Sequence, residues 1–104
     1  MNQTDLHALL ADAPALPRST TVFREGGLRG ILLHLRAGES LPEHQARGAI
    51  SVHCLQGEVA FSSGGETANL RMGGLVSLAA GSPHALVARQ DSVLLVSMSE
   101  PVEG

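Results

Sequence analysis

Tryptophan, tyrosine and lysine are missing from this chain of 104 residues, and cysteine occurs once, as Cys54. Each absence excludes something. With Phe23 and Phe61 the only aromatic side chains, the interior must be built from Leu, Val, Ile and Ala, and stacking on bases or sugars is poorly supplied. One cysteine permits no internal disulfide and fits a reducing compartment. The seven basic residues are all arginines, scattered without a block or stripe, and the formal net charge is −3. That balance speaks against nucleic acid as a partner. No apolar run approaches the ~20 residues needed to span a bilayer, so no membrane partner is expected. The opening MNQTDLHALL has neither a positive n-region nor a cleavage site, so a cytoplasmic location is expected.

What is present suits one small globular domain. The apolar fraction is 43 %, and a chain of this length buries roughly two-thirds of its unfolded surface, which supports one core. Residues 1–18 read as a helix and connector. Thr4 is the expected N-cap of a helix over 4–11, Leu6, Leu9 and Leu10 share its apolar face, and Pro14 stops it. The helix is expected to cover one end of the domain, with an extended Pro-Ala-Leu-Pro connector behind it.

From Ser19 to Ser99 the pattern has period two. Strands are predicted at 20–25, 29–36, 49–55, 58–62, 67–72, 75–79, 85–89 and 93–98, with 37–40 as a turn. In the second of these, Ile31, Leu33 and Leu35 lie on one face, and Leu32, His34 and Arg36 on the other. Gly57, Ser63-Gly64-Gly65, Gly73-Gly74 and Gly81-Ser82-Pro83 supply turns. Many short strands with glycine-rich turns indicate an all-β sandwich or barrel. Residues 100–104 read as a flexible polar tail.

Two stretches share a plan: GESLPEHQARGAISVHCLQG (38–57) and GGLVSLAAGSPH (73–84). They resemble the paired motifs of the cupin superfamily, G-x5-H-x-H-x3,4-E-x6-G and G-x5-P-x-G-x2-H-x3-N. Gly38, His44 and Gly57 match the first, and Gly73, Gly81 and His84 match the second. The resemblance implies an all-β, double-stranded β-helix jelly roll with a short N-terminal helix. It departs from the motifs at Ala46 (second histidine), Ile50 (glutamate), Ala79 (proline) and Ala88 (asparagine). The family's metal is usually held by three histidines and a carboxylate, and only His44 and His84 stand at such positions here.

His44 and His84 are therefore expected to face one another inside the barrel mouth, with Ala46, Ile50, Val52 and Leu86 completing a ligand pocket. Two imidazoles are candidate metal ligands, and any metal would be a divalent transition ion. His53 points to the opposite face of its strand, His34 is out of phase with its apolar neighbours, and Glu43 could swing in from the loop. Arg47 could reach over the mouth. The alternative is a filled interior packed by Ile50, Val52, Leu86 and Ala88. Cys54 keeps phase with Ile50 and Val52 and is expected to be buried and inert. Ser51, His53 and Leu55 form the outer face of that strand, where the resemblance implies a homodimer contact.

Three functions remain open on the sequence. One is a small organic ligand bound without a complete metal site. Another is a mononuclear metal enzyme of dioxygenase or isomerase type using His44 and His84. The third is a non-catalytic accessory domain. An open cavity beside His84 favours the first over the third.

Overall fold

In the computed structural model, described over residues 1–100, nine antiparallel strands follow a short N-terminal helix. Residues 101–104 of the predicted flexible tail lie outside the described residues. The strands are β1 (Ser19–Glu25), β2 (Leu28–Leu35), β3 (Ser40–His44), β4 (Ile50–Gln56), β5 (Glu58–Ser63), β6 (Glu66–Arg71), β7 (Leu75–Leu78), β8 (His84–Ala88) and β9 (Ser92–Ser99). One sheet has the order β1-β2-β9-β4-β7 and the other β3-β8-β5-β6. Their facing surfaces enclose the core, as in a jelly roll.

Period-two alternation decides which side chains go inside. Ile50, Val52 and Cys54 of β4 point inward with Leu94 and Val96 of β9, Val59 and Phe61 of β5, and Leu86 and Ala88 of β8. Leu35, Cys54, Val59 and Leu94 have 0 % exposure and mark the centre. β2 turns its apolar face inward, Ile31 and Leu33 packing on this core with Leu35. His34 is therefore outside, its Nδ1 2.9 Å from the Leu16 carbonyl oxygen.

The outer face of the five-stranded sheet has a core of its own. Helix α1 (Leu6–Leu10) and its connector place Leu6, Leu9, Leu10, Ala13 and Leu16 over Leu32, Val93, Leu55 and Leu95. This explains the unbroken apolar run Val93-Leu94-Leu95-Val96, since β9 is covered on both faces. The helix thus lies on a sheet face, whereas the sequence placed it over one end of the domain. Its N-cap is Asp5, whose carboxylate accepts from the Ala8 N–H. Thr4 instead donates its hydroxyl to the Val22 carbonyl at 3.3 Å. The connector is not wholly extended either, because Ala13–Ala15 form a 3-10 turn that Pro14, with its fixed φ, joins without strain. Asp5→Ala should cost up to about 1 kcal/mol, read as a small fall in the urea midpoint. An unchanged midpoint would show that packing alone holds the helix.

Two turns set how β5 leaves its neighbours. Gly64 and Gly65, with φ of +58° and +81°, close the two-residue β5–β6 hairpin, whose register pairs Ser63 with Glu66. Gly57, at φ +89°, turns β4 into β5 directly against Asp91 and Ser92.

Candidate functional site

β3 was not predicted from the sequence, and it carries His44. Pro42 sits in its middle, and β3 lies at an edge, bonded only to β8, where a residue without an N–H is tolerated. Leu41 pairs with Leu86 and His44 with His84, so Pro42 and Glu43 together oppose the single residue Ala85. In an unbroken strand residues three apart point to opposite faces; the extra residue of this bulge restores the phase. Leu41 and His44 consequently both reach the space between the sheets.

The two imidazoles meet across this ladder. Their ring centroids are 4.2 Å apart with an interplanar angle of 62°, and Phe61 stacks on His84 at 5.7 Å and 15°. His84 is buried at 5 % exposure, whereas His44 is exposed. Each Nδ1 lies 2.9 Å from a backbone carbonyl two residues earlier, Pro42 for His44 and Ser82 for His84. A carbonyl oxygen only accepts, so both Nδ1 atoms carry a proton in these bonds, and in a neutral ring the lone pair is left on Nε2. The backbone thereby sets tautomer and ring orientation together.

Beside the rings is a cavity of about 200 Å³, lined by Ile31, Leu33, Leu41, His44, Ile50, Val52, Phe61, His84, Leu86, Val96 and Met98. Five of the six pocket residues proposed from sequence therefore share one space. Ala46 is the exception: it packs on the core without lining the cavity, and its carbonyl accepts from the Gly81 N–H at 2.9 Å. The filled-interior alternative does not describe this end of the barrel, although Ala88 is packed at 1 % exposure. Glu43 and Arg47 are exposed and line none of the cavity, and His53 is on the outer face of β4. Phe61, Leu41, Ile31, Leu33, Val96 and Met98 were not among the predicted pocket residues. The alternation of β2 had grouped Ile31 and Leu33 on one face without placing them in the pocket. A larger groove of about 480 Å³ lies under the N-terminal segment, between Met1, Leu6, Phe23 and Leu28, and holds no histidine.

A resident metal ion does not fit this donor set. Structural and catalytic zinc sites take at least three protein ligands. Among the described residues no three of His, Cys, Asp and Glu come together. Where the resembled motif has its second histidine and its glutamate, this chain has the apolar Ala46 and Ile50.

Cys54 plays no part in the site. Burial pushes its thiol above the ordinary value of 9.0, the Glu58 charge adds to this, and a backbone hydrogen bond at Gln56 opposes it. A disulfide reagent should leave the folded protein unlabelled and react fully in denaturant; rapid native labelling would contradict the burial. The raised value also fixes the sign of the linked pH effect. Below pH 9 the thiol is protonated both folded and unfolded, so its stabilising contribution is complete. Above that it ionises first in the unfolded chain, and stability should fall as pH rises toward the folded value.

No family model matches the sequence, and no curated protein matches it. Solved structures do. TT1209 from Thermus thermophilus superposes with a TM-score of 0.79 at 28 % identity, over 97 % of this chain and 100 % of its own. A cupin-2 domain containing protein from Shewanella frigidimarina gives 0.77 at 8 % identity, over 93 % and 94 %. A cupin superfamily protein from Desulfitobacterium hafniense gives 0.75 at 19 %, over 80 % and 76 %.

Proposed function

We propose, from the premise that this chain has the cupin fold in a single domain, that it binds a small organic molecule between His44 and His84 without a resident metal. The observation carrying this reading is the cavity of about 200 Å³ beside two imidazoles whose Nε2 lone pairs are left free. Apolar walls with a few fixed polar atoms are the usual construction of such sites. A ligand that binds only the folded chain raises its melting temperature by mass action. Uncharged compounds of one ring or less should therefore stabilise the wild type and leave Ile50→Phe, which fills the cavity, unmoved. Leu41→Phe, at the rim, serves if the first variant does not fold. No stabilisation by any compound, together with a stoichiometric metal ion lost in His44→Ala, would overturn the proposal.

We also propose that the chain pairs with a second copy through the outer face of β4. There Leu75, 64 % exposed, lies beside His53 in the ladder, whereas Leu55 is covered by the chain's own helix. Light scattering should give twice the chain mass, reduced to one in Leu75→Glu; a wild-type monomer would refute it. Among the described residues no helix is long and apolar enough to cross a membrane.

A further inference from the structure

We propose, resting on the small-ligand reading above, that the ligand is a compact uncharged hydrogen-bond donor. It is a phenol or an alcohol of about one ring, its hydroxyl donating to the Nε2 of His84 or of the adjoining His44. The tautomers decide the sense of the hydrogen bond. Both Nδ1 atoms are occupied by the Pro42 and Ser82 carbonyls at 2.9 Å, so each Nε2 can only accept while the ring is neutral. A ligand offering only acceptors would leave the buried His84 unpaired.

The cavity sets the size. An aliphatic cavity of about 150 Å³ in another protein takes up benzene. The one here is about 200 Å³, room for a ring and one or two further atoms. Of its eleven lining residues nine are apolar, so an ionic group would lose hydration without a partner to replace it. The cation nearest along the inward face of β2 is Arg29, two residues before Ile31. Its guanidinium is engaged by Glu100 at 3.6 Å, which Arg24 also faces at 3.8 Å. Glu100 thus already offsets that charge, although the Arg29 Nε is buried without a partner, and the net charge of −3 works against a carboxylate. Phe61, one of the chain's two aromatic residues, lies nearly parallel to the His84 ring, and both line the cavity.

Calorimetric titration of the whole chain at neutral pH with phenol, benzene and benzoate tests this. Phenol should bind about tenfold more tightly than benzene, the effect of roughly one hydrogen bond. In His84→Leu that preference should fall below about threefold while benzene still binds. His44→Leu, at an exposed position, should narrow the preference too and serves if the His84 variant fails to fold. Equal binding of phenol and benzene would overturn the donor class and leave the small-ligand reading standing. Tighter binding of benzoate would overturn it in favour of an anion. Binding of none of the three would overturn both readings.

Discussion

Gly57→Ala should lower stability by on the order of 3 kcal/mol or more, a large share of the total of about 5–15 kcal/mol expected of such a domain. Two costs combine at this position. Its φ of +89° is left-handed, which costs an L-residue about 1–2 kcal/mol. A Cβ there would also overlap the Asp91 carbonyl oxygen and the Ser92 hydroxyl and lie 2.8 Å from the Ser92 Cα. Most of that is backbone, which has no rotamer to yield, and overpacking of this sort costs a further ~1–3 kcal/mol. Gly38 provides the control. It has the same φ of +89°, but a Cβ would meet nothing within 4 Å. Gly38→Ala should therefore show the left-handed cost alone, about 1–2 kcal/mol. Urea midpoints of the two variants separate the terms; equal losses would mean that the β4–β5 turn does not rest on Asp91 and Ser92.

Leu94→Ala should cost about 2–5 kcal/mol, through lost burial and an unfilled void. Leu94 has 0 % exposure and sits on β9, with Leu33 opposite on one side and Cys54 on the other. Neighbours fixed in two ladders have little freedom to collapse into the space. Leu75→Ala, at a site 64 % exposed on the edge strand β7, should stay within about 0.5 kcal/mol in the monomer. A mild Leu94 variant would place the core elsewhere than between the two sheets.

How far the sequence carried the structure depends on which signals were local. Strand alternation marked β2 and β4 and separated an apolar from a mixed face in β2, and in β4 it put Ile50, Val52 and Cys54 inside. The motif glycines Gly38, Gly57, Gly73 and Gly81 all proved left-handed, with φ of +89°, +89°, +91° and +79°. The convergence of His44 and His84 was legible through the resemblance they carry. β3 was not. A proline among polar residues reads as loop, and only pairing with β8 makes it a strand. The lining from β9 was hidden for a different reason: its apolar run is buried on both faces, so alternation has no polar half to show phase. Whether the interior is full or open is a sum over many side-chain volumes from nine strands. No spacing in the chain encodes that sum.

At the centre of this account, two imidazoles, each with its Nδ1–H held by the backbone carbonyl two residues earlier, meet at the mouth of a cavity. Long-range proton–nitrogen correlation of the histidine rings in the folded protein tests it most directly. At a pH where the rings are neutral, both His44 and His84 should appear as Nδ1–H tautomers, with a cross-peak between their ring protons, as centroids 4.2 Å apart require. Nε2–H tautomers, or rings without mutual contact, would contradict it.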